Sequence, residues 1–239
     1  MNGDLPPPTT LPTVLQWTAA GRLLVFALSS TSIWCLLAEF YSLCSMRTFV
    51  FAFFLPSTVA LLALAALDRV LGEGRLWRAV VVGGVAGFIA ACAYDVFRLP
   101  FVFAREWGID AVVPPLKLFG VFPRFGAMIL GEPVEQGGYP PAAHVVGWAY
   151  HFSNGVTFGV MYFAMIGDAR RRSWRWAVLL ATGLELAMLL TPYPAFFAIP
   201  LTATFIAVTL AAHLVFGVVL GLVSKAAWTR AVKEVPDAF

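Results

Sequence analysis

The chain has 239 residues, of which 60% are apolar and only 12% charged, about half the charged share of an ordinary soluble domain. Mean hydropathy is +0.83, and formal net charge is +3. This balance excludes a soluble enzyme, a disordered chain and a nucleic-acid-binding domain, all of which need polar or basic surface that is not present; it leaves an all-α, polytopic membrane helix bundle.

In chain order, residues 1–18 form an irregular Pro/Thr-rich lead-in containing Pro6, Pro7 and Pro8. It has no basic start, so a cleaved signal peptide is not expected. A spanning helix needs about 20 apolar residues, and about six such spans are predicted. Spans at 20–40, 48–67 and 79–99 fill residues 19–99. Residues 100–143 form a Pro-rich external cap between helices three and four, broken by Pro100, Pro114, Pro115, Pro123, Pro133, Pro140 and Pro141. Within the cap, 116–130 mixes Phe and Leu with Lys117 and Arg124, which suits a short interfacial or re-entrant element. Spans at 144–167, 176–190 and 199–223 fill residues 144–224, and residues 225–239 form a cytoplasmic tail. Trp17, Trp34, Tyr41, Trp148, Tyr150, Trp174, Trp176 and Trp228 mostly fall near span ends, as an aromatic belt does. Cys35, Cys44 and Cys92 make no metal or disulfide pattern and read as small buried residues.

Orientation follows from the basic residues. Eleven fall on one side: Arg22, Arg69, Arg75, Arg78, Arg170, Arg171, Arg172, Arg175, Lys225, Arg230 and Lys233. Five fall on the other: Arg47, Arg98, Arg105, Lys117 and Arg124. The excess marks the cytoplasmic side, so both termini are expected there.

A partial repeat runs through the second half. His151, Gly155 and Gly159 reproduce the spacing of His213, Gly217 and Gly221, and Gly83 with Gly87 is a third copy without histidine. Residues four apart share a helix face, so each set is a stripe of small residues along which a second helix can approach closely.

Ionisable residues inside spans are costly and are usually paired or functional. Counting at 1.5 Å per residue from the expected cytoplasmic ends puts Glu39, Asp95 and His151 all roughly 25 Å up. Tyr94, Arg98, Asn154 and His144 surround that level. Glu185 and His213 fall roughly 15 Å up, on consecutive antiparallel helices. The sequence therefore predicts an upper cluster of Glu39, Tyr94, Asp95, Arg98, His144, His151 and Asn154, and a separate mid-membrane pair, Glu185 with His213.

Three functions fit such a polar column. It could bind or move a small solute, proton or ion. It could hold a metal ion through His151, Asp95 and Glu39, with imidazole and carboxylate as ligands. It could serve only to fix packing in a structural subunit, a homo-oligomer or a larger membrane complex. No P-loop, H-E-x-x-H helix or G-x-S-x-G elbow occurs, and no nucleophile–base pair stands out, so an enzyme is not the expectation. The expected partners are the lipid bilayer and other membrane proteins, with no nucleic acid.

The stretch from His151 to Gly159, and the run His213-Leu214-Val215-Phe216-Gly217-Val218-Val219-Leu220-Gly221, are similar to a loose group of uncharacterised bacterial polytopic inner-membrane proteins. That group has a His-led glycine helix, a following span and a closing helix of the form H-[LF]-V-[YF]-G-x-x-x-G. The resemblance covers about 144–223 and implies an inner-membrane location without a known chemistry. The segment Tyr94-Asp95-Val96-Phe97-Arg98-Leu99-Pro100 is more distinctive but matches no named family.

Overall fold

Thr18 starts the first helix: its hydroxyl accepts the Gly21 N–H at 3.3 Å. The structure is a computed structural model describing residues 17–133 and 138–233. Pro6, Pro7 and Pro8 of the lead-in lie outside the described residues. Helix α1 (Ala19–Phe40) is followed by α2 (Met46–Phe49), a π-helical turn (Val50–Phe54) and α3 (Leu55–Leu71), which run on as one 26-residue rod. Pro56 sits just inside α3 and has no N–H to give the preceding turn, and the π turn lies where that bond is missing. After Gly72 the chain reverses into α4 (Arg75–Val102). The buried Asp68 carboxylate accepts the Trp77 N–H at 3.0 Å and so satisfies a free donor of the α4 start.

The remaining helices are α5 (Val121–Leu130), α6 (Pro141–Ile166), α7 (Arg175–Leu190), α8 (Tyr193–Phe196) and α9 (Ala203–Lys233), with no strand among the described residues. By length and composition four helices can cross a membrane: Ala19–Phe40, Met46–Leu71, Arg75–Val102 and Ala203–Arg230. That is fewer than the six expected. Helix α6 is long enough, but His144, His151, Ser153, Asn154 and Thr157 dilute its apolar character. Helix α7 has 16 residues, roughly 24 Å, and stops before Pro192, short of a typical hydrocarbon core. Two boundaries also move. Helix α4 passes through Pro100 to Val102, since a proline this near the end removes only one helical bond. The last helix starts at Ala203, and the expected tail begins helical, through Lys233.

The glycine stripes decide which helices meet. A Cβ on Gly83 would stand 2.8 Å from the Gly159 carbonyl oxygen, and one on Gly87 would overlap the Gly155 carbonyl, so α4 and α6 cross backbone against backbone. The stripe on α9 faces α7 instead: Cβ atoms on Gly217 and Gly221 would stand 2.6 Å from Val178 Cα and from the Trp174 carbonyl oxygen. Around the first crossing, Ala79, Ala86, Tyr162, Phe163, Leu220 and Trp228 form a packed core. Trp228 is thus buried, with its ring 4.9 Å from that of Phe163, and does not belong to an aromatic belt. Tyr150 departs from the belt as well, because α6 starts at Pro141 and carries it into the interior, where its hydroxyl donates to the Ser32 carbonyl at 2.6 Å. Of the cysteines only Cys35 is buried; Cys44 and Cys92 are half-exposed, and all three are free.

The cap is a roof. Seven of the ten residues of α5 are buried, and Cβ atoms on Gly126 or Gly147 would overlap the backbones of Ala143 or Phe122. Helix α5 therefore lies wedged between α6 and a second core containing Phe40, Val50, Phe54, Tyr150 and Phe197. At the opposite end, Arg22 donates to the Ala164 and Met165 carbonyls, both at 2.9 Å, and caps the end of α6. In the loop beyond, Arg170 hydrogen-bonds Asp168 and holds its carboxyl below the usual range, against a smaller opposing effect of burial. With the folded pKa lowered, the stabilisation of this loop is present above about pH 3.9 and is lost as pH falls through the folded value. A carbon-13 titration of the Asp168 carboxyl is expected to show a midpoint below that of an ordinary aspartate, and Arg170→Gln to raise it; an ordinary midpoint in the unaltered protein would show that the pair does not form.

Candidate functional site

Helix α4 carries Tyr94, Asp95 and Arg98 on adjoining turns, two turns beyond its glycine crossing with α6. That crossing sets His151, one turn beyond Gly155, opposite Asp95. Asp95 Oδ2 lies 2.9 Å from His151 Nε2, and Asp95 Oδ1 lies 3.3 Å from Arg98 Nη1. Arg98 is buried and also donates to the Leu118 carbonyl in the cap. Its guanidinium lies 4.6 Å from the Tyr94 ring centre and 4.9 Å from that of Phe119. The His151 ring stacks on Phe122 of α5, centroid to centroid 4.2 Å.

The second pair also forms. His213 Nδ1 lies 3.2 Å from Glu185 Oε2 and 3.0 Å from the Thr209 carbonyl oxygen. Glu185 is only 2% exposed, so the contact with His213 gives a buried carboxyl group a polar partner. The two predicted levels, however, are one. The Tyr94 ring stands between the histidines, 6.0 Å from His151 and 4.9 Å from His213. The depth count missed this because α9 runs ten residues past 223, and because α7 starts opposite Gly221 rather than at the far end of α9. Glu185 and His213 thus stand higher than their distance from 176 and 223 implied.

Glu39 is elsewhere. Its carboxylate accepts the Met46 N–H at the α1–α2 turn, where the start of α2 needs an acceptor. The candidate His151, Asp95 and Glu39 metal set is therefore not brought together, and among the described residues no group of three or more His, Cys, Asp or Glu side chains could hold a metal ion. His144 is exposed in the first turn of α6.

The two pairs border a cavity of about 690 Å³, within the size range of small-molecule sites. Tyr94, Arg98, His151, Asn154, Glu185 and His213 all line it. Loops 115–120 and 198–202 form its rim, where Lys117, Pro200 and Thr202 are exposed. Gly155 of the glycine crossing also lines the cavity. Sequence reading did not place Arg124, Met188 or Tyr193 at a site, yet all three line this cavity. Arg124 stood out only as a cation in an apolar cap segment, and Tyr193 follows a proline in what read as a span end.

No curated protein and no solved structure matches the chain. A family match covers residues 110–235, and so takes in most of the cap, His151, Asn154, Glu185 and His213 while leaving out Tyr94, Asp95 and Arg98. More than half of the chain lies in that match, and the chain belongs to DUF6789, a family of unknown function.

Proposed function

We propose that this is a multi-pass inner-membrane protein that binds a small solute in the cavity under its cap, either to move it or to hold it for a membrane partner. The observation that carries the reading is the convergence of two buried polar clusters, Asp95 with Arg98 and His151, and Glu185 with His213, from four helices, α4, α6, α7 and α9, on one ligand-sized space. Ionic groups are rarely kept in a membrane interior without a role, and packing alone would be served by apolar side chains of similar volume.

In this proposal all six predicted segments lie within the bilayer, α7 together with α8 and the 191–202 loop as a partial span. The outward side chains of α6 and α7 support it: Val145 is 69% exposed, Leu179 60% and Leu190 84%. Both termini face the cytoplasm on the strength of the basic-residue asymmetry, and the cap with the cavity mouth faces outward.

Cysteine accessibility tests this. With Cys35, Cys44 and Cys92 replaced, Met188→Cys and Phe205→Cys are expected to react in intact cells with a membrane-impermeant maleimide. Their rates should approach that of Gly138→Cys, a cap position with open space around it. Labelling only after denaturation would remove the outward-open chamber.

A further inference from the structure

The wall of the chamber is unbalanced in charge. Six ionisable residues other than tyrosine line it: Arg98, Lys117, Arg124, His151, Glu185 and His213. Both carboxylates of the site already have polar partners, Asp95 in Arg98 and His151, and Glu185 in His213 at 3.2 Å. Lys117 and Arg124 form no salt bridge among the described residues. Arg124 gives one N–H to the Phe197 carbonyl at 2.7 Å, and a guanidinium has five to give. Arg98 is 4% exposed and its Nε has no partner. Tyr193 lies within electrostatic reach of Tyr94, Arg98, Glu185 and Arg124. Neither its hydroxyl nor that of Tyr94 has a hydrogen-bond partner among the described residues.

Most of the remaining wall is apolar, with Leu36, Leu184, Met188, Phe205 and Phe216 from three helices, and Asn154, Thr202 and Thr209 add polar groups to it. An inorganic anion would waste this surface, a cation would meet no free carboxylate, and a neutral apolar molecule would leave the arginine and tyrosine donors unmatched.

The geometry points to an amphipathic organic anion as the ligand: a carboxylate or phosphate head beside Arg124, Arg98 and Tyr193, on a hydrocarbon or aromatic body packed against the apolar wall. This rests on the solute-binding reading above and names its ligand class. Such a molecule can come from two sources, a free organic acid or an anionic lipid whose head enters between the 115–120 and 198–202 loops.

The test uses the full chain in nanodiscs of zwitterionic lipid, with thermal unfolding as the readout. Four probes share one body: phenylbutyrate, phenylbutyl phosphate, phenylbutanol and phenylbutylamine. The two anions are expected to raise Tm with saturation, and the alcohol and amine to leave it nearly unchanged. Arg124→Gln should weaken the apparent anion affinity roughly tenfold, the equivalent of one charge-assisted hydrogen bond, while Arg124→Lys keeps most of it. Lys117→Gln, at an exposed loop position, gives the same comparison if Arg124→Gln does not fold. Replacing part of the lipid by phosphatidylglycerol separates the sources: a lipid ligand raises Tm by itself and blocks the effect of phenylbutyrate, whereas a free acid still acts.

Equal or greater stabilisation by the amine or alcohol overturns the proposal. So does the absence of any shift with both anions and phosphatidylglycerol, or an anion effect that Arg124→Gln and Lys117→Gln leave intact. Fast labelling of Met188→Cys combined with any of these results refutes the ligand class alone. Labelling only after denaturation refutes the chamber itself.

Discussion

Leucine at Gly87 is expected to leave little folded protein. The α4–α6 crossing has no room for a side chain there, because even a Cβ would overlap the Gly155 carbonyl. Neither backbone can retreat without dragging Gly83 off Gly159 one turn away. Overpacking at so tight a contact costs about 3 kcal/mol or more. It should also separate Asp95 from His151, since these lie two turns and one turn beyond the same crossing. Fluorescence-detected size exclusion and thermal unfolding in detergent would measure the loss. Gly183→Ala is the matched control: a Cβ there meets nothing within 4 Å, and the change should be neutral or stabilising by up to about 1 kcal/mol of helix propensity. A Gly87→Leu protein that unfolds at the wild-type temperature would mean that α4 and α6 do not cross where the structure puts them.

Removal of Asp95 is the second large effect. Among the described residues its carboxylate is the only acidic partner of the buried Arg98, and it is the partner of His151. Asp95→Ala would leave a guanidinium in the interior with its charge unmatched, which costs about 3–5 kcal/mol when one member of a buried pair is deleted. Asp95→Asn should cost less, because an amide still hydrogen-bonds the imidazole. Pairing Asp95→Ala with Arg98→Met removes the stranded charge, and the double variant is expected to recover a substantial part of the loss. If the double variant is no more stable than Asp95→Ala, the cost does not come from the unpaired arginine, and the pair has another role. The comparison also separates stability from function, since the double variant keeps the cavity but should bind anions less well.

Much of the site was legible because it depends on short-range geometry. Asp95 and Arg98 are three residues apart and meet on any helix. Glu185 and His213 sit at similar heights on consecutive antiparallel helices, so their contact follows from the loop between them. Asp95 and His151 were matched by counting depth, and the count worked because α4 and α6 are long helices that cross at their glycines.

Glu39 shows where such counting fails. Its height agreed with Asp95 and His151, but height does not give direction around the helix, and the backbone donor of Met46 lay closer than the cavity. The roof was legible only as a composition. Nothing local says that Phe122 stacks on His151, that Arg124 and Tyr193 face the same space, or that a Pro-rich cap is wedged inward rather than spread over the bilayer.

Residue composition and local periodicity by themselves determined an all-helical, apolar chain with glycine stripes and ionic groups on defined helices. Those properties depend on residues within a turn or two of one another. Only the tertiary structure decided that the stripe of α6 meets α4 while the equivalent stripe of α9 meets α7, that α7 starts high, and that two separate polar levels become one chamber under α5. Those outcomes depend on how far one backbone slides along another before a carbonyl or a ring blocks it, and that stopping point is a property of both surfaces together.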